Sequence, residues 1–105
     1  MKKLDPIPPG EILLEEFLKP LGISQNKLAR DIDVPPTRVS DIIHARRSIS
    51  TDTALRLGTY FQTTPEFWLN LQRRYDLLVA EDTILPRIKK QVRPLERNIM
   101  AQGME

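Results

Sequence analysis

A chain of 105 residues with 40% hydrophobic side chains is long enough for one domain around a single modest core. It contains no cysteine, which excludes disulfides and thiolate metal sites and fits a reducing cytoplasm. Sixteen basic residues against fourteen acidic ones leave a net charge of +2, which neither proves nor excludes nucleic acid, because placement decides more than totals. No apolar run approaches the roughly eighteen residues of a membrane span, no signal-peptide pattern opens the chain, and no internal repeat is visible. A cytoplasmic protein is the expectation.

Taken in order, the residues predict an all-α plan. Residues 1–9 hold Pro6, Pro8 and Pro9 and are expected to be extended. A first helix follows over residues 11–18. Leu14, Phe17, Leu18 and Leu21 form its buried stripe, Glu11, Glu15 and Glu16 its wet side, and Pro20 and Gly22 stop it. Ser24 is placed to cap a second helix by accepting from backbone N–H groups. A third begins at Pro36 and ends near His44, before the loop Ala45-Arg46-Arg47-Ser48. Ser50 caps a fourth over residues 51–61, with Ile49 as a hydrophobic staple and Asp52 favourable to the helix dipole. Thr64 followed by Pro65 announces the fifth, whose stripe is Phe67, Trp68, Leu71, Tyr75 and Leu78. After Ala80 the pattern weakens, and Pro86 and Pro94 argue against one long helix. A short helical turn is expected near residues 88–92 and a loose end over the last residues.

The stretch 24–44 is the most informative. Leu28, Ala29 and Ile32 lie on one helical face, and Val39, Ile42 and Ile43 on another, with a reversal between them. Two helices joined by so tight a turn make either an ordinary α-hairpin or a helix-turn-helix that reads DNA. Asp33 occupies the pivot where glycine is usual, and aspartate tolerates a positive φ better than most residues. With its inner stripe committed to packing, the third helix presents Pro36, Thr37, Arg38, Ser40 and Asp41 as candidate base-reading residues. Thr37 and Asp41 are expected to face base edges, Pro36 a thymine methyl, and Arg38 and Ser40 bases or phosphates. Asp41 has an alternative as a solvated carboxylate paired with a neighbouring arginine. Gln25 and Asn26 at the second helix's start, with His44, Arg46, Arg47 and Ser48 after the third, are the candidate phosphate contacts.

The five-helix order, with the turned pair second and third, resembles the lambda-repressor-like or XRE-type helix-turn-helix domain. More narrowly, the chain is similar to HigA-type antitoxins. The similarity is carried by Pro9-Gly10-Glu11-Ile12-Leu13, Glu15-Glu16-Phe17-Leu18 and Ser24-Gln25-Asn26-Lys27-Leu28-Ala29. It continues through Arg46-Arg47-Ser48-Ile49-Ser50, Thr53-Ala54-Leu55-Arg56-Leu57 and Pro65-Glu66-Phe67-Trp68-Leu69-Asn70-Leu71-Gln72, then Tyr75-Asp76-Leu77. It covers roughly residues 8–80; Asp33 and Ala45 are departures at loop positions. The resemblance implies a homodimer that binds a palindromic operator, represses its own operon and neutralises a HigB-like ribonuclease toxin. Residues 1–80 are accordingly assigned to an XRE-type domain and 81–105 to a basic, partly irregular C-terminal extension.

A fifth helix this apolar exceeds what a small core needs. Trp68 and Leu71 are expected to pack inward, while Leu69, Gln72, Tyr75 and Leu77 build a two-fold dimer interface. In the tail, Arg87, Lys89, Lys90, Arg93 and Arg97 stand against one acid, Glu96. These are read as solvated or partner-binding, and Glu11, Glu15 and Glu16 as the better surface for a basic toxin. A single histidine, no cysteine and no glycine-rich phosphate loop give no support to an enzyme, a metal or a cofactor. Other readings are a stand-alone repressor with no toxin partner and a protein-interaction module that has lost DNA contact.

Overall fold

The computed structural model describes residues 5–96, and within them the chain is all helical, with six helices. Three contiguous segments, Pro9–Ile12, Leu13–Leu18 and Lys19–Leu21, run on as one helix, α1. The middle segment is π-helical, with the Lys19 N–H bonded to the Leu14 carbonyl. A proline normally breaks a helix because its ring collides with the carbonyl four residues back. The widened turn carries α1 past Pro20, so that proline does not stop the helix as its sequence suggests. Gly22, at φ 66°, does. The wider turn also re-aims the stripe. Leu13 and Leu18, five residues apart, are the buried pair, Leu14 and Phe17 are half-buried, and Leu21 is 59% exposed.

Helices α2 (Gln25–Ile32), α3 (Pro36–Ile43), α4 (Thr51–Phe61) and α5 (Pro65–Thr83) follow. Ser24, Ser50 and Thr64 accept from the N–H groups of Lys27, Thr53 and Phe67 and so start α2, α4 and α5. Four helices end alike. Gly22, Asp33, Ala45 and Gln62 adopt the left-handed conformation, and the next residue's N–H reaches a carbonyl five positions back. The pairs are Ile23 to Leu18, Val34 to Ala29, Arg46 to Asp41 and Thr63 to Gly58, at 2.7–3.0 Å.

The core gathers Leu13 and Leu18 of α1, Leu28, Ala29 and Ile32 of α2, and Val39 and Ile42 of α3 around Ile49, Ala54, Leu57 and Trp68. Phe17 lies 4.9 Å, centroid to centroid, from both Phe61 and Trp68. The indole N–H of Trp68 donates to the Thr63 hydroxyl at 2.9 Å, satisfying the one polar group of a fully buried ring. Gly10 allows α1 to cross close to α3. A Cβ there would lie 2.6 Å from the Ile43 Cα, and nearer still to the Ile42 carbonyl oxygen.

Helix α5 runs past residue 80, so the boundary drawn there falls inside a continuous helix. It breaks at Ile84, and α6 (Leu85–Gln91) starts three residues before the expected turn and packs against α5. Ile84, Ile88, Val92 and Leu95 are exposed on this arm, and the described chain measures 56 × 29 × 25 Å. Arg97 and the expected loose end lie outside the described residues.

Candidate nucleic-acid interface

The recognition candidate α3 opens with no side-chain cap: Pro35 precedes it and Pro36 takes the first helical position. Prolines at both positions have no N–H to leave unsatisfied, and the Arg38 N–H bonds the Pro35 carbonyl at 2.9 Å, so fewer donors at the helix tip are left to water or a ligand. Pro36 and Thr37 are exposed, Arg38 and Ser40 half-buried, and Val39 and Ile42 buried. The polar and apolar faces therefore separate as the spacing implies. A bare helix tip carrying short polar side chains matches what a major groove admits.

The turn before α3 is held from across the chain. Asp33 stands at φ 60°, the positive φ expected of it. Arg56 of α4 donates from Nη1 to the Ile32 carbonyl at 2.8 Å, and from Nε to Asp52 at 2.8 Å. A guanidinium at the open end of α2 satisfies one of its last carbonyls and complements the negative end of its dipole. Asp52 beside it holds the Arg56 guanidinium above its ordinary pKa. Nearby, Asp31 accepts from Lys27 at 2.7 Å and from the Tyr60 hydroxyl at 2.7 Å. Those bonds, Lys27's first, hold Asp31 below its ordinary pKa, and the bond to Asp31 raises the Tyr60 phenol. Arg56, Asp31 and Tyr60 are absent from the sequence reading of the site. The Asp52–Arg56 spacing of four signals an ion pair, but not that the arginine also reaches across 24 residues.

Past α3 the candidate residues meet in one place. Arg46, Arg47, Ser48, Gln72, Tyr75 and Asp76 line a cleft of about 120 Å³, together with Pro9, Ile42 and Ala45. The Arg46 N–H bonds the Asp41 carbonyl at 2.7 Å, and Arg46 Nε donates to Asp41 Oδ1 at 3.1 Å. Asp41 thus takes the arginine-paired alternative, with a carboxylate turned to the loop. His44 Nδ1 lies 2.8 Å from the Ser40 carbonyl, which can only accept, so Nδ1 donates there, and the residue as a whole is exposed. Gln25 is half-buried and lines a shallow groove with Leu14, Leu18 and Ile23, whereas its neighbour Asn26 is exposed.

The expected dimer face divides. Gln72 is only 8% exposed and spans the chain's own parts: its Oε1 accepts from the Ile49 N–H at 2.8 Å and its Nε2 donates to Asp76 at 2.8 Å. The Ile49 N–H, buried at the end of the loop, would otherwise lack an acceptor, and this draws Gln72 inward. Leu69 is half-buried against the core, Tyr75 is half-buried at the cleft, and Leu77 is 58% exposed. On α1, Glu15 pairs with Lys19 at 2.9 Å, and Glu11 and Glu16 are exposed.

A capped helix, a left-handed pivot and a bare-tipped second helix define a helix-turn-helix protein of the lambda-repressor-like class. The family model described as "Helix-turn-helix" matches residues 14–68. Virulence-associated protein I of Dichelobacter nodosus is 51% identical over 71% of this chain and 69% of its own length. Among solved structures, Pseudomonas aeruginosa antitoxin HigA with the higBA promoter superposes at TM-score 0.84. It is 45% identical, over 87% of this chain and 99% of that one. The antitoxin GraA superposes at 0.85 with 46% identity, over 89% of this chain and all of the other. The chain belongs to the XRE-type helix-turn-helix family, in its HigA-type branch. No described helix is long and apolar enough to cross a membrane.

Proposed function

We propose that this chain is a DNA-binding antitoxin that, as a homodimer on a palindromic operator, represses its own operon and neutralises a HigB-like ribonuclease toxin. The observation that carries the DNA half is the tip of α3, where Pro36 and Thr37 are exposed while Val39 and Ile42 anchor the opposite face. Inserted tip first, α3 brings Thr37 to base edges, Pro36 to a thymine methyl, and Arg38 and Ser40 to the groove wall. Asn26 and Gln25 at the α2 start, with His44, Arg46, Arg47 and Ser48, contact phosphates on either side. The P. aeruginosa HigA structure with its promoter supports this docking, and the antitoxin names of the superposed proteins support the toxin half.

Thr37→Ala is expected to relax preference at one base pair, costing about 1–3 kcal/mol on the operator. Arg46→Ala is expected to weaken binding to every sequence and to flatten its salt dependence by about one unit. Fluorescence anisotropy on the operator and on random duplex separates the two effects, and unchanged affinities in both variants would exclude this docking. Purification from the native operon tests the rest. A stoichiometric small basic partner is the expected companion, and its absence beside intact operator binding would leave a stand-alone repressor.

A further inference from the structure

We infer that Asp41 is a positioning residue for Arg46 rather than a reader of bases, an inference that rests on the DNA-binding function proposed above. Asp41 is the sixth residue of α3, about 7.5 Å along the axis from the exposed tip at Pro36. Base edges are met by the leading residues of such a helix. Its carboxylate is already engaged with the loop, because Oδ1 accepts from Arg46 Nε at 3.1 Å. The main chain of Arg46 is tied to the same residue through its N–H at 2.7 Å from the Asp41 carbonyl, and the Arg47 N–H points there as well, at 3.2 Å. Ala45, at φ 60°, turns the chain back so that these bonds can form.

Arg46 is therefore held at both ends by one residue. The bond through Nε fixes the plane of the guanidinium and leaves its two terminal nitrogens without a partner among the described residues. Those nitrogens carry the donors that take a phosphate in two parallel bonds. A long arginine side chain left mobile would lose rotamer freedom on meeting DNA; one already oriented loses less. Pairing also shields a carboxylate that would otherwise repel the phosphates beside α3.

The test is a mutant cycle of Asp41→Ala, Asp41→Asn, Arg46→Ala and the double variant Asp41→Ala/Arg46→Ala. The probe is a duplex that the unaltered chain selects from a random pool, together with its single base-pair variants and a random duplex. Asp41→Ala is expected to weaken binding by about three- to tenfold while keeping the ranking of the base-pair variants. Asp41→Asn, whose amide oxygen still accepts from Nε, is expected to recover most of that loss. In the Arg46→Ala background, Asp41→Ala is expected to change nothing. A changed preference at one base pair, or an equal loss with and without Arg46, overturns the inference; a folding defect in Asp41→Ala would show as that equal loss. An unaltered chain that selects no sequence from the pool overturns the DNA-binding function itself, and the inference with it.

Discussion

Asp33, Ala45 and Gln62 sit at positive φ where glycine carries no steric penalty. For other residues the left-handed conformation costs about 1–2 kcal/mol. Ala45→Gly is therefore expected to stabilise the fold by about 1 kcal/mol, once the greater freedom of glycine in the unfolded chain is subtracted. A rise of about 4–8 °C in Tm by calorimetry would accompany it, and a fall would mean that the left-handed turn after α3 is not formed. The Tyr60–Asp31 bond predicts a titration. Because the carboxylate raises the phenol's pKa, the bond stabilises the fold below the phenol's unfolded value, and the effect is lost as pH rises through the folded one. Asp31→Asn is expected to bring Tyr60 back towards its ordinary value, read by ultraviolet absorbance. Asp33 was legible as a tolerant pivot from its residue type alone. The bonds of Gln72 to Ile49 and of Arg56 to Ile32 were not, because they join residues 23 and 24 positions apart that no local spacing brings together. The pairing of Asp41 with a nearby arginine, five positions on, was one of two readings its type allowed.

Helix starts were readable because capping is chemistry between neighbours: Ser24, Ser50 and Thr64 each bond an N–H three residues on. Helix α1 is where that locality fails. Its π-helical stretch lets Pro20 remain inside the helix and exchanges Leu21 for Leu13 in the core, a register that packing selects rather than intrinsic preference. The crossing of α1 and α3 depends on Gly10, whose missing Cβ leaves room for the Ile42 and Ile43 backbone. Gly10→Ala must push one helix from the other, since backbone cannot swing aside as a side chain can. A loss of about 1–3 kcal/mol in urea unfolding is expected, and an unchanged midpoint would contradict so close a crossing.

At the scale of the whole molecule, α5, α6 and the residues that follow extend beyond the packed core and leave Leu77, Ile84, Ile88, Val92 and Leu95 uncovered. The proposed homodimer gives part of that surface a role, and it sets two α3 tips one DNA turn apart, about 34–36 Å. Two linked half-sites then bind with the advantage of high effective concentration. Light scattering at micromolar protein is expected to report twice the single-chain mass, and Leu77→Arg to lower both that mass and operator affinity. A monomeric mass for the unaltered chain would remove the dimer. Gln72 plays its part from within, joining α5 to the loop that ends at Ile49.

From the order of residues alone came the all-helical plan and the turned pair at 24–44 with its exposed leading face, because caps, apolar periods and turn residues act over three or four positions. The family came from the resemblance of whole sequence blocks such as Pro65 to Gln72. Tertiary structure decided what those positions could not. It selected the register of α1, drew Gln72 beneath the surface and clamped the α2 end with Arg56. Each of these outcomes depends on burial or on a hydrogen bond that exists only after distant segments have come together.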